Sequence, residues 1–342
     1  MNLLCETIAL DEASQCSEWD RWTCEWDGSS VFMSSWWLGT AVTAKTFRGN
    51  SVRMLVLRDA SNGNPQIAFV VATRRIGHLA VVMAPFQTPY LGPMMPVNGD
   101  ESACSRTSRI KMGHAEVARA LRSAGLIVLY PLSWVWQDTQ PYQWAGAQAR
   151  VAYTYLLPLA SLDGVWRGMD ATRRRNIQHA ERLGLAPRIA GADAIPDLMR
   201  MESLSLSRSG VLRKRTWDGS NAARLLGEAC ARDQGFVVLV RDREGTPVAA
   251  CGIVHNHKQA HYLLAGAAEH ASSAPSLCVW AAIQQCHALG LRSFDFEGSM
   301  VPGIEAFFRK FGGTLTPRYV ITSAAAEAVL GLRRAFRCRK RD

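Results

Sequence analysis

Asp295 and Glu297 stand two residues apart in Phe294-Asp295-Phe296-Glu297-Gly298-Ser299, where an apolar run ends. On a strand, alternate side chains share a face, so this spacing puts both carboxylates on one side and Phe294, Phe296 and Gly298 on the other. Neighbouring carboxylates raise each other's proton affinity, and one of them can then serve as a base or hydrogen-bond anchor for an attacking amine. A second reading stays open, in which Asp295 accepts backbone N–H groups of the following turn and Glu297 pairs with an arginine. Gly298-Ser299 lets the chain turn, and Ser299 is placed either to cap a helix starting near Pro302 or to touch substrate. Tyr262 and Tyr319, in strands flanking this segment, are candidate donors to an oxyanion or leaving group, with ordinary core tyrosines as the alternative.

A second group of residues is cationic. Arg173, Arg174 and Arg175 lie around one helix, and Arg213, Lys214 and Arg215 follow in a later loop. Such a spread suits sequence-independent phosphate contact, or simply a solvated basic face. Formal net charge is +10, which points to an anionic partner: tRNA, a phosphorylated cofactor or an acidic membrane surface. The nine cysteines are scattered, odd in number and without a C-x-x-C pair, as expected for reduced thiols in a cytoplasm. His255, His257 and His261 cluster, yet no cysteine or acid sits at ligand spacing beside them, so no metal is expected. No apolar run approaches the ~20 residues that cross a bilayer, and the N-terminus has no basic export-type region.

These residues need a frame. At 342 residues the chain exceeds the size at which one core stops growing, and two domains are the expectation. Trp19, Trp22 and Trp26 at helical spacing predict an amphipathic helix in 11–48, followed by β runs at 52–59, 66–73 and 79–83, with a hairpin at Asn62-Gly63. The proline-rich loop 84–93 holds Tyr90, and a helix at 115–124 and a strand at 126–132 follow. Near residue 150 the pattern restarts: a strand at 153–159, helices at 165–183, 195–207 and 217–232, strands at 235–241, 246–256 and 260–267, a helix at 276–289, and strands at 292–297 and 318–322. Both halves run helices, antiparallel meander, helix and strand, which predicts an α+β chain with domains at 1–150 and 151–325 and a basic tail at 326–342.

Several stretches carry a family resemblance. Tyr153–Leu159 followed by Arg173–Leu185 resembles the strand and the R-x-x-I-x-x-A-x-x-x-G helix of the FemABX-like branch of the GNAT N-acyltransferase superfamily. The run Pro275–Gly290, then Phe294–Ser299 and Phe307-Phe308-Arg309-Lys310-Phe311-Gly312-Gly313, is similar to that branch's helix, "D-F-x-G-S" strand end and "F-K-x-x-F-G" helix. Ser35-Trp36-Trp37 and Thr88–Pro93 resemble segments of the same relatives. The resemblance spans most of the chain and implies two tandem GNAT-like lobes, each a mixed, mostly antiparallel sheet flanked by helices. It also implies acyl or aminoacyl transfer to an amine.

On that footing the expected catalytic residues are Glu297, Asp295 and Tyr262, with Ser299, Tyr319, Arg309 and Tyr90 toward substrate, and Arg173, Arg174, Arg175, Arg213, Lys214 and Arg215 toward tRNA or phosphate. Phe308 stands where the peptidoglycan-building members have lysine, and the cations move to Arg309 and Lys310. The turn 267–276 has neither the basic residue nor the glycines that hold a CoA pyrophosphate at a helix N-terminus. The first departure weakens a peptidoglycan precursor as substrate; the second favours aminoacyl-tRNA as co-substrate over acyl-CoA, with no bound cofactor. With no Ser-His-Asp order and no nucleophile elbow, the expected reaction is direct attack without a covalent enzyme intermediate. A rival of another class is a non-catalytic RNA-binding protein on the same fold.

Overall fold

A computed structural model describes residues 3–43, 51–208, 219–269, 271, 273–298 and 300–338. The chain divides into two compact units, Met1–Ala152 with Pro317–Asp342, and Tyr153–Thr316.

The first unit opens with β1 (Leu3–Ile8), α1 (Ala13–Glu25), α2 (Ser35–Val42), β2 (Ser51–Asp59), β3 (Pro65–Ile76) and β4 (Leu79–Met83). β1 to β4 pair antiparallel in chain order. The hairpin at Asn62-Gly63 is locked by Asp59 and Asn62 side chains, which accept from Ser61 N and Asn64 N, both at 2.9 Å. β4 then pairs parallel with β5 (Ile127–Pro131), a geometry that needs a crossover, supplied by α3 (Ala103–Ala124). α3 starts well before the expected residue 115 because Ser102 caps it, accepting from Ser105 N at 3.2 Å. Trp19, Trp22 and Trp37 are wholly buried, which bears out the aromatic stripe as core. The short α4 (Gln140–Trp144) leads into β6 (Gln148–Pro158), which runs on into the second unit.

The second unit continues with α5 (Leu162–Gly168), α6 (Ala171–Arg182), β7 (Ala186–Ala190), α7 (Ile195–Arg208), α8 (Gly219–Cys230), β8 (Gly235–Arg241), β9 (Pro247–His255), β10 (Gln259–Ala267), α9 (Ala274–Ala288), β11 (Ser293–Asp295) and α10 (Pro302–Arg309). Its strands follow the order β6-β11-β10-β9-β8-β7. β7 to β10 form an antiparallel meander, β10 and β11 are parallel, and β11 is antiparallel to β6. α9, the crossover between the parallel pair, is apolar nearly all round, and ten of its residues are buried, as a helix enclosed by its own domain must be.

Three expectations need correction. The helix expected over 165–183 is two helices, because Met169 is extended and Asp170 caps the second by accepting Thr172 N at 2.9 Å. The strand expected over 292–297 stops at Asp295. The chain does not leave the second unit at 325 for a separate tail: β12 (Thr314–Thr322) pairs antiparallel with β5 through Val320–Thr322, and α11 (Ala324–Cys338) follows in the first unit. The strands β1 and β7 were not expected; β7 is short and mostly exposed, so it has no buried apolar alternation.

α7 crosses β10 at Gly266, where an added Cβ would lie 2.1 Å from the Met201 backbone carbon. Only a residue without a side chain permits that approach. Gly266→Ala should therefore lower stability by about 3 kcal/mol or more. Gly227→Ala, in α8 with its nearest neighbour 3.7 Å away, should raise stability by about 0.5–1 kcal/mol. Urea unfolding of both variants checks the pair.

Candidate active site

Along its length β11 has β6 on one side and β10 on the other, and the site begins where this pairing ends. β10 and β11 are paired at Gln259↔Ser293, Ala260↔Phe294 and His261↔Asp295. Among the described residues no rung follows, while β10 runs on to Ala267 with a register shift between Tyr262 and Leu264. The two parallel strands thus part directly after His261 and Asp295. Tyr262 is the first residue beyond the last rung.

Asp295 is fully buried. Its Oδ1 accepts the Thr154 hydroxyl and the backbone N–H of Glu297, the latter at 2.7 Å. Its Oδ2 faces His261 Nδ1 at 3.6 Å. Burial pushes the His261 imidazole down to about 3, with nearby His255 adding to the effect, so the ring is neutral near pH 7 and the contact is not an ion pair. The expectation that Asp295 and Glu297 share a strand face is overturned. Glu297 has left the strand with φ 55°, and Gly298 follows at φ 66°. The side-chain acceptance of an amide two residues on is what bends the chain there. At Gly298 a Cβ would stand 1.8 Å from the Tyr153 carbonyl oxygen, so glycine is required by space as well as by dihedral. Glu297 ends half-buried.

A second half-buried carboxylate opens the next helix. Glu305, in the first turn of α10, accepts the Tyr155 hydroxyl at 2.6 Å, and Arg309 Nε lies 3.8 Å from it. Burial, then the bond to Glu305, raises the Tyr155 phenol above its ordinary value. Tyr262 packs edge-on against Phe308 with ring centres 5.4 Å apart, beside Phe294 and Phe296. Its phenol is held well above the ordinary value, chiefly by burial, so it remains a hydrogen-bond donor.

Arg173 is not a surface phosphate ligand. It is 6% exposed and donates to Ser276 Oγ at 2.6 Å and to the Phe307 carbonyl at 3.1 Å. Its guanidinium lies 4.1 Å from the Phe307 ring centre and 4.7 Å from that of Phe311. One buried cation thereby ties α6 to the start of α9 and the end of α10. Arg174 also turns inward, donating through Nη1 to the carbonyls of Trp166, Arg167 and Met169 and so satisfying the open C-terminus of α5. Arg175 alone of the three is exposed.

Residues 168–309 match the family model described as "Acetyltransferase (GNAT) domain". The match covers less than half of the chain, and over that stretch the chain is similar to a GNAT-type acetyltransferase domain. Among solved structures, the crystal structure of FemX is 11% identical with a TM-score of 0.67, over 93% of this chain and 97% of that one. The C-terminal domain of a putative lysylphosphatidylglycerol synthetase from Agrobacterium fabrum is 17% identical at a TM-score of 0.52, over 83% and 88%. A tandem GNAT protein from the clavulanic acid biosynthesis pathway is 14% identical at a TM-score of 0.50, over 94% and 98%. No curated protein matches the chain by sequence. At these identities the likeness is one of fold: an α+β architecture of two lobes, similar to that of FemX and of the tandem GNAT protein.

Within the matched residues the structure gathers Asp295, Glu297 and Tyr262 around the parting of β10 and β11. Arg309 is exposed on α10 beside Glu305. Tyr90 and Tyr319 belong to the first unit: Tyr90 is buried with the Arg318 guanidinium 5.6 Å from its ring centre, and Tyr319 packs partly buried on that unit's core. Ser299, Arg213, Lys214 and Arg215 lie outside the described residues. Sequence reasoning missed Glu305 and Tyr155, and did not foresee Thr154 as a partner of Asp295. The Glu305 and Arg309 spacing of four was a usable helix-pair signal; the Thr154 and Tyr155 contacts span more than 140 positions and had none.

Removing the Asp295 carboxylate strands two buried donors. Asp295→Ala should lower stability by about 2–4 kcal/mol, measured by urea unfolding. The neutral, buried histidines also give a pH signature. His261 and, in the first unit, His114, which burial lowers to about 4, take up protons less readily folded than unfolded. Between about pH 6.5 and 4 the unfolded chain therefore binds the extra protons, and stability falls as pH falls. His261→Gln should show a smaller loss of urea midpoint between pH 7.5 and pH 5 than the parent chain.

Proposed function

We propose that the protein forms an amide bond by moving an aminoacyl group from aminoacyl-tRNA to an amine, by direct attack without a covalent enzyme intermediate. The observation that carries this reading is the half-buried Glu297, held in a left-handed turn by Asp295 at the point where β10 and β11 part. A strained, carboxylate-bearing turn is the kind of feature that clusters at active sites. The acceptor nitrogen must be neutral to attack, and Glu297 takes its proton or fixes it by a hydrogen bond. Asp295, enclosed and with two donors already on its Oδ1, acts through Glu297 as a positioning residue. Tyr262 keeps its proton and donates to the oxygen of the tetrahedral intermediate or to the leaving group.

The aminoacyl donor is favoured by the likeness to FemX and to a protein described as a putative lysylphosphatidylglycerol synthetase. Phosphate contact falls to exposed Arg175, and to Arg213, Lys214 and Arg215, which lie outside the described residues. No described helix is long and apolar enough to cross a membrane, and the reading places the reaction in the cytoplasm. An acyl-CoA donor is the second reading. It is favoured by the acetyltransferase family model over residues 168–309 and by the inward turn of Arg173 and Arg174, which removes two cations from the tRNA surface.

A screen of charged tRNAs and acyl-CoAs against a panel of amines separates the readings. Transfer from charged tRNA, falling at least about 100-fold in Glu297→Gln while the urea midpoint holds, is the expected result. Saturable transfer from acyl-CoA with none from charged tRNA would replace the donor. Full activity in Glu297→Gln would remove that residue from the chemistry.

A further inference from the structure

Outside the matched residues, the first unit holds a cavity of about 490 Å³, within the roughly 300–1,000 Å³ of small-molecule sites. Its lining is mixed: Leu121 of α3, Val128 of β5 and Ile321 of β12 border it but are 1–4% exposed, and its open apolar surface is that of Leu126 and alanines such as Ala324. The Tyr142 ring closes one side, with its hydroxyl already engaged by His114 Nδ1 at 2.9 Å. Among the described residues no carboxylate lines the space, and Arg122 is the one cation that does. Arg122 is exposed, and its recorded contact is a single donation to the Ala145 carbonyl at 3.3 Å. It makes no ion pair among the described residues. Arg122 and Ala145 also line an adjoining depression that contains Arg119 and Trp144.

The rim is as informative as the interior. Leu126, which lines the cavity, is 67% exposed, and Trp144, in the adjoining depression, is 70% exposed. A planar guanidinium without an acid partner among the described residues, sharing its two depressions with exposed apolar side chains, matches a ligand with one greasy end and one anionic end. The fork of an arginine fits carboxylate and phosphate oxygens equally well.

We propose that this cavity binds a single-chain amphiphile with a carboxylate or phosphate head. The chain lies along Leu126 and Ala324, and the head sits on Arg122. The proposal stands apart from the transferase reading, since it uses no residue of the second unit.

Calorimetric titration of the full chain with dodecanoate, dodecyl phosphate and dodecyltrimethylammonium, each below its micelle threshold, tests it. Both anions should bind one-to-one, with the cation at least about tenfold weaker. Arg122→Gln should weaken the anions about tenfold, the value of one charged contact. Ala324→Phe, at an exposed lining position in the first turn of α11, should block the chain. Both changes are on the surface, and should Ala324→Phe fold poorly, Arg122→Gln and the cation comparison decide alone. No binding of either anion, or equal binding in parent and variants, would overturn the proposal. A parallel arm uses phosphatidylcholine vesicles with and without phosphatidylglycerol. Capture by the anionic vesicles without one-to-one binding of the monomeric anions would overturn it in favour of a membrane surface.

Discussion

A buried carboxylate that cannot reach water must be met by donors, and at Asp295 that requirement shapes the second unit's site. Leaving such a group unsatisfied costs several kcal/mol, whereas a hydroxyl and a backbone N–H on one oxygen make its burial tolerable. The N–H it recruits is that of Glu297, and to present it the chain must leave the strand direction within two residues. The short β11, the left-handed Glu297 and the close-packed Gly298 are consequences of one side chain needing a donor.

A second constraint acts on the helices behind the turn. Arg173 is a buried cation with hydrogen bonds to α9 and α10 and two aromatic rings against its guanidinium. A planar, permanently charged group can donate in its plane and stack on its faces at once; an ammonium can do only the first. Phe296, Phe307, Phe308 and Phe311 pack around this centre, so α10 reaches the strand ends with Glu305 in its first turn. The net positive charge of the chain therefore overstates what is available to an anionic partner, since some of it is inside.

For acyl transfer, such an arrangement puts geometry ahead of reactive groups. Holding donor and amine in line can account for about 7–11 kcal/mol of a barrier, and a domain with strands that part over an aromatic floor is suited to that task. Of the carboxylates near the parting, Asp295 is fully buried while Glu297 and Glu305 are half-buried, oriented by the fold and still in reach of solvent.

Much of this was legible in the amino-acid order. The alternation of helix and meander, the hairpin at Asn62-Gly63, the tryptophan core and the all-apolar α9 are local patterns, and local patterns survive without tertiary context. The motif Asp295–Gly298 was legible as the place where something happens, and the alternative that Asp295 serves the following turn is the one its bonds support. What the order of residues did not contain was direction. Arg173 and Arg174 have the same composition signal as Arg175, yet only packing against α5, α9 and α10 decides which guanidinium faces water. Likewise Glu297 keeps strand alternation on paper and loses it where Asp295, bonded to Thr154 141 positions away, accepts its backbone N–H. Spacing along the chain sets which groups are available; long-range contact and burial set which way each one points.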